Sequence, residues 1–296
     1  MEMTGSNRIK VYAAVILGNV FWGLSNAVTK IGVSVADPEI LLTCRFLAAF
    51  IILTAMMLIR GEKLHFRRPS YRALILMMIL EPIVYLAESY GLVYANATFS
   101  GVVGALSPIA GALFAFLFLK EQPSRKKVFF SLFPIIGVIL ITINGRKIGY
   151  VQPLGVILLL MGMLLSAGFR TANRGASQDY TPLERTWSVF LVCTVTFILT
   201  ALIKNHGDMH AYTEAFTHRE FVISFILLAV FSSVIAHMLV NYGFAYLPVL
   251  TMSTFAMLQT VIAIISGVLL LHEPLTASII IGSGLVLMGI YMVNRS

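Results

Sequence analysis

Ten apolar runs divide this chain and leave it one class of fold. They fall at residues 11–33, 39–59, 71–94, 98–119, 128–145, 153–174, 184–204, 220–245, 249–271 and 275–293. Most approach the roughly 20 apolar residues that carry a helix across a bilayer's hydrocarbon core. Lipid offers no hydrogen-bond partner to a bare peptide group, so spans of this kind must be helices. None shows the apolar–polar alternation of a membrane β-barrel strand. The expected fold is all-α, a polytopic membrane protein with ten transmembrane helices. Connections such as Ala95–Ala97 and Leu247–Pro248 are so short that the helices they join must be antiparallel neighbours.

Composition excludes the main competitors. Only 11% of the residues are charged and 58% are hydrophobic, against about 25% charged in a soluble domain. No stretch between the runs is long enough to build an extramembrane domain. A net charge of +8 would suit nucleic acid in a soluble chain. Here the basic residues cluster in alternate connections, which is the positive-inside pattern. With an inner N-terminus, fifteen of the 21 Lys and Arg fall inside, Arg170, Arg174 and Arg185 among them, and five fall outside. Both termini are therefore expected in the cytoplasm, with the basic clusters Arg60–Arg72 and Lys120–Lys127 near anionic lipid headgroups. The polar stretch Met1–Lys10 is followed by no small-residue cleavage site, so the first run reads as a permanent helix. Cys44 and Cys193 sit in apolar runs and read as buried thiols, with neither disulfide nor metal spacing.

The chain repeats itself. Residues 90–124 and 242–276 align without a gap at an offset of 152. Tyr90 meets Tyr242, Gly91 meets Gly243, Tyr94 meets Tyr246, Leu106 meets Leu258, Glu121 meets Glu273, and Gly137 meets Gly289. The expected halves are residues 1–147 and 148–296, with five helices each. Five is odd, so the halves are inverted in the membrane. Inverted repeats are a common plan of secondary transporters, with substrate bound between the halves near the midplane.

Four short patterns carry a family likeness: Trp22-Gly23 with Lys30, Arg45-Phe46, Leu117-Phe118-Leu119-Lys120-Glu121, and Leu269-Leu270-Leu271-His272-Glu273-Pro274. With ten helices in two halves, the chain resembles the EamA-type branch of the drug/metabolite transporter superfamily over nearly its whole length. The second half departs from the pattern. Ser166-Ala167 stands where a Trp-Gly pair would sit, and nothing matches Arg45. The resemblance implies transport of amino acids, small metabolites or drugs, mostly outward across a bacterial inner membrane.

Ionisable groups inside a membrane are costly and tend to be functional. Glu81, Tyr85 and Glu88 are spaced i, i+4 and i+7, which puts them on one face of the third helix. Lipid cannot host that face, so it must look into the bundle. Pro82 releases the carbonyl of Met78 beside it. Glu81 lies roughly 15 Å from the inner end, near the midplane, where it would bind a proton or an amine. The plainer alternative is a neutral glutamic acid hydrogen-bonded between helices. Arg45 and Glu88 stand at matching depth in antiparallel helices and are expected to form a buried ion pair or gate. Ser233, His237 and Asn241 make a polar stripe on the eighth helix, with His237 at about the depth of Glu81. Histidine titrates near neutral pH, which suits a proton relay.

Trp22 and Tyr85 are the deeper aromatic candidates, and rings of this kind attract amines. Tyr94, Trp187 and Tyr242 read as interface anchors. Asn19, Ser25, Asn26, Ser107, Gln259 and Thr260 supply neutral polar contacts. Gly101, Gly104 and Gly111 permit close helix approach. Zinc-protease, serine-hydrolase and P-loop motifs are lacking, so the chain reads as no enzyme, with no catalytic residue, metal or cofactor. The expected function is alternating access around a cavity lined by helices 1, 3, 4, 6, 8 and 9. Small amine-bearing metabolites such as amino acids would bind at Glu81, Tyr85, Trp22, His237, Asn241, Ser107 and Gln259, and would be exported. Protons are the candidate coupling ion, and the chain would act in the lipid bilayer as a monomer or homodimer without nucleic acid. Proton-coupled or facilitative uptake is the nearer alternative. A lipid-modifying enzyme using Glu81 and His237 is the more distant one.

Overall fold

The computed structural model describes residues 5–62, 68–94, 103–104, 106–122, 124–145, 152–204, 210–271 and 277–295. The described residues are helical, with no strand. In chain order, α1 is Gly5–Gly32, α2 Pro38–Arg60 and α3 Tyr71–Tyr94. α4 is Ser107–Phe114, continued by a π-helical stretch Ala115–Leu119. α5 joins Arg125–Phe130 to Leu132–Gly145. α6 is Pro153–Ala176 and α7 Pro182–Lys204. After a short helix at His210–Ala215, α8 runs through Arg219–Leu227, a π-helical Leu228–Ala236 and His237–Phe244. α9 joins Val249–Ala256 to Leu258–Leu271, and α10 is Ala277–Arg295. These segments follow the ten apolar runs closely. The expected start of the fourth run, the Ala95–Ala97 connection, Gly101, His272, Glu273 and Pro274 lie outside the described residues, as do the side chains of Asn26, Lys30 and Thr260.

Local chemistry accounts for several ends. Pro38 and Pro153 open α2 and α6, where a missing N–H costs nothing. Gly61 closes α2 in the left-handed conformation, at φ 63°. Thr181 and Glu184 open α7 reciprocally. Thr181 N donates to Glu184 Oε2 (2.8 Å), and Glu184 N donates to Thr181 Oγ1 (3.2 Å). α3 continues through Pro82 as one helix.

The principal contacts between helices have an exchange symmetry. α3 packs on α6 as α8 packs on α1. α4 packs on α6 as α9 packs on α1, and α2 meets α8 as α7 meets α3. The pairs α2–α7, α4–α9 and α5–α10 map onto themselves. The matched glycines are used in matched ways. A Cβ at Gly91 would press on Leu159 of α6 at 2.8 Å, and one at Gly243 would overlap Val15 of α1. At the α5–α10 crossing, a Cβ at Gly137 would strike the Gly282 carbonyl, and one at Gly289 the Pro134 ring. Each of these backbones approaches its neighbour more closely than an alanine would permit.

The halves are therefore interlaced, since α6 packs with α3 and α4 while α1 packs with α8 and α9. Two large buried apolar clusters result among the described residues, beside two smaller ones. One large cluster gathers Phe46, Leu53, Met77, Leu183, Phe190 and Phe197, and the other gathers Val15, Ile135, Phe244, Phe255, Val261 and Val286. Large apolar side chains such as Ile51, Ile79, Phe129, Leu199, Ile226 and Ile280 stand exposed around the outside. A soluble protein rarely shows so much apolar surface, and in lipid it is the solvated face. Among the described residues, five helices are long and apolar enough to cross a membrane by themselves, with shorter apolar helices at Ser107–Leu119 and Ile280–Val293.

Candidate functional site

Between the two large clusters lies a cavity of about 430 Å³, lined by α1, α2, α3, α6, α8 and α9. Against the expectation from sequence, α2 lines the cavity and α4 does not. Arg45 brings α2 in, whereas Ser107 of α4 faces a side recess of about 100 Å³. Glu88, Ser166 and Arg170 line both spaces. Gly104 also opens on the recess, and a Cβ there would meet nothing within 4 Å, so it is no close-approach glycine. Gly111 is one, against Ser253 Oγ at 2.7 Å.

The site's geometry begins with the π-helical stretch of α8. Such windings slip the backbone out of its regular ladder and recur at functional sites. The Ser232 carbonyl accepts from Trp22 Nε1 (3.1 Å) and lies 3.1 Å from His237 Nδ1. A carbonyl can only accept, so Nδ1 carries a proton. Nε2 is left to face Glu81, with Oε1 at 3.6 Å. Trp22 and Phe190 both meet the His237 ring edge to face, each with centroids 4.9 Å away. Glu81 and His237 are buried, at 8% and 3% exposure. A deprotonated Glu81 facing a neutral His237 would set one acceptor against another. The pair is complementary only when it holds a further proton, on the carboxyl or on Nε2. The structure thus brings together α3 and α8 residues that the sequence could match only in depth.

Arg45 and Glu88 are not brought together. Arg45 Nε donates to Ser233 Oγ (2.7 Å) and Nη2 to Ser232 Oγ (2.9 Å). No ion pair joins it to Glu88 among the described residues. Matching depth does not fix direction around a helix. Arg45 points to α8, while Glu88 lies over α6, where a Cβ at Gly162 would come within 3.2 Å of Glu88 Cγ. Tyr85 lines the cavity and packs edge to face on Phe46, centroids 5.2 Å apart.

The neutral candidates are more committed to the protein. Asn241 Nδ2 donates to Thr186 Oγ1 (2.8 Å), and its Oδ1 accepts from Asn173 Nδ2 (2.6 Å). Gln259 Nε2 donates to Asn19 Oδ1 (2.8 Å), and Asn19 Nδ2 donates to the Val15 carbonyl (2.7 Å). Ser25 Oγ donates to the Trp22 carbonyl at 2.7 Å. Trp187 is a helix joint, its Nε1 donating to Thr54 Oγ1 (2.9 Å) between α7 and α2. Cys193 is buried and Cys44 half-buried, both as free thiols. No group of three or more metal-ligating side chains occurs among the described residues.

Four residues of the site, three arginines and Asn173, escape the sequence pattern. Arg170, Arg174 and Arg185, taken as connection charges, stand on α6 and α7. Arg170 lies six residues before the end of α6 and lines the cavity. Arg185 is fully buried. Its Nη1 donates to the carbonyl of Asn173 (3.2 Å) and to Asn173 Oδ1, and Nη2 donates to the Asn241 carbonyl (2.5 Å). A signal was present for Arg170, which falls inside the apolar run 153–174. For Arg185, just inside the start of its run, only tertiary packing decides. Asn173 had no local mark.

The comparisons with known proteins agree with this architecture. An uncharacterized transporter of Bacillus subtilis, YcxC, is 28% identical over 292 residues, covering 97% of this chain and 94% of that protein. An uncharacterized transporter of Archaeoglobus fulgidus is 25% identical, covering 97% and 99%. The uncharacterized inner membrane transporter YedA of Escherichia coli is 29% identical over 160 residues, covering 53% and 50%. A solved crystal structure at 16% identity superposes with a TM-score of 0.79 over 96% of this chain and 97% of that one, which shows a shared fold. The profile of the EamA-like transporter family matches twice, at residues 9–143 and 153–295. Two copies of that pattern in one multi-pass membrane chain identify it: the protein is a transporter and belongs to the EamA-like transporter family.

Proposed function

We propose that this transporter moves small amine-bearing metabolites, such as amino acids, outward across a bacterial inner membrane, with both termini in the cytoplasm. The observation that carries this reading is the acidic face of α3 inside the cavity. Glu81 and Glu88 both line it beside Trp22 and Tyr85. Carboxylates lining a cavity among aromatic rings favour a cation, through charge and through the ring quadrupoles. The cavity takes its walls from both halves, so rocking one interlaced unit against the other would expose it to each side in turn. Glu81 and His237 form the switch. An arriving amine takes the place of the pair's proton, and the proton's return releases the amine. Export is supported by the family resemblance, and the inner-membrane setting by the name of YedA.

The same pair favours a second reading, uptake driven by protons, because a group that trades a proton for an amine serves either direction. Flux under an imposed pH gradient separates the two. The primary test is counterflow of labelled amino acids, quaternary amines and neutral nucleosides into proteoliposomes, with Glu81→Gln alongside. The expected result is counterflow of an amine-bearing compound that falls at least tenfold in the variant. Counterflow of only neutral compounds, or a variant with full rate and full pH dependence, would overturn the assignment.

A further inference from the structure

The buried charges Glu81, Glu184 and Arg185 are engaged by other side chains or by backbone, whereas two charges open to the cavity, the exposed Glu88 and the half-buried Arg170, are not. Arg170 has five N–H donors. Its one hydrogen bond among the described residues is long, from Nη1 to Ser107 Oγ at 3.4 Å. The Glu88 carboxylate makes no hydrogen bond and no ion pair among the described residues, although it lies close enough to Arg170 for their charges to attract. Both groups line the main cavity and the side recess. Leaving charges unsatisfied in a membrane protein is costly. A molecule that satisfied both at once would relieve that cost.

The recess sets the shape of such a molecule. At about 100 Å³ it admits a group several waters in size. Its polar wall is Arg170, Glu88, Ser107 and Ser166, and its apolar wall is Val103, Leu159 and Met163. The guanidinium fork matches a carboxylate in two parallel hydrogen bonds, and the serine hydroxyls donate to the same oxygens. Glu88 stands at the junction with the main cavity, on the helix face it shares with Glu81.

We infer that the side recess is the anionic-group subsite of the transporter, and that Arg170 selects substrates bearing a carboxylate as well as an amine. The carboxylate seats against Arg170 and the recess serines. The amine lies toward Glu88 and Glu81, and the remainder of the substrate extends into the main cavity. This inference rests on the amine reading of the cavity given above and adds a second determinant to it. α6 has no counterpart of Trp22, and the smaller Ser166 stands there at the edge of the recess beside Arg170.

The test compares an amino acid with the amine left by its decarboxylation and with its methyl ester, in counterflow by the full-length protein. Wild type should prefer the amino acid to the amine by at least tenfold. Arg170→Gln should cut that ratio at least tenfold by slowing the amino acid and sparing the amine, and Arg170→Lys should fall between. A structural role for Arg170 predicts that both substrates slow together with the ratio unchanged, and that result would overturn the inference. A second measurement needs no variant: the methyl ester should compete at least tenfold more weakly than the acid for wild type, and equal competition would also overturn it. Wild type that moves amines and rejects amino acids would overturn this inference and leave the amine reading standing. Wild type that moves neither would overturn the amine reading itself.

Discussion

Arg170 and Arg185 lie fifteen residues apart in sequence and belong to opposite kinds of environment. Arg185 belongs to the end of the bundle where α2, α4, α6 and α8 finish. There most hydrogen-bonding groups are paired within the protein, with Arg185 Nε and Ser70 Oγ as buried exceptions. Arg68 Nη1 donates to Glu184 Oε2 (2.9 Å) and to the Asp179 carbonyl (2.5 Å). Arg174 Nε meets Glu121 Oε1 at 3.1 Å, and its Nη1 donates to the Phe244 carbonyl at 2.7 Å. Glu121 Oε2 accepts from Val249 N at 3.1 Å, which ties the end of α4 to the start of α9. Arg170, about one turn deeper than Arg174 on α6, has almost nothing. A charge that the fold consumes holds the helices in place. A charge that the fold leaves open is available to a ligand.

That contrast is testable residue by residue, through thermal unfolding in detergent set beside transport. Arg185→Gln should have the largest effect on the fold. It strands buried acceptors on Asn173 and Asn241 and should cost about 3 kcal/mol, lowering the melting temperature whatever the substrate. Arg45→Met removes two hydrogen bonds into the π-helical stretch and should cost about 2 kcal/mol. Its transport should fall through displacement of Ser232 and His237, a loss that lower temperature partly restores. Glu121→Ala unties Arg174 and the first N–H of α9, for about 1–2 kcal/mol. Trp22→Phe keeps the ring against His237 and loses only the bond to the Ser232 carbonyl, for about 1 kcal/mol. Arg170→Gln should be the smallest, within about 0.5 kcal/mol of wild type, although its effect on substrate choice is large. A melting temperature that drops as far for Arg170→Gln as for Arg185→Gln would erase the distinction.

Much of the fold was legible in the sequence because lipid makes a long apolar run helical. Gly91 with Gly243 and Gly137 with Gly289 announced the repeat. Their positions at equivalent crossings explain why they match: close approach excludes a larger side chain. Glu81 and His237 were legible as costly residues at one depth. Their meeting depends on azimuth, which periodicity gives only within a single helix. Arg45 shows the same limit, since its partners Ser232 and Ser233 belong to the other half and to a π-helical stretch with no local signature. Arg170 was hidden for another reason. A count of basic residues near span ends assigns topology and treats every arginine as solvated, whereas this one turns inward.

Ligand-dependent stability tests the cavity most directly, because a molecule that binds the folded state alone raises its melting temperature without any need for transport. Purified wild type would be melted against zwitterionic amino acids, their decarboxylated amines and neutral nucleosides, with Glu81→Gln in parallel. The expected result is that an amine-bearing compound stabilises wild type and not Glu81→Gln, while the two melt together without ligand. Equal stabilisation of both, or stabilisation by neutral nucleosides alone, would contradict the assignment of the α3 face as the substrate site.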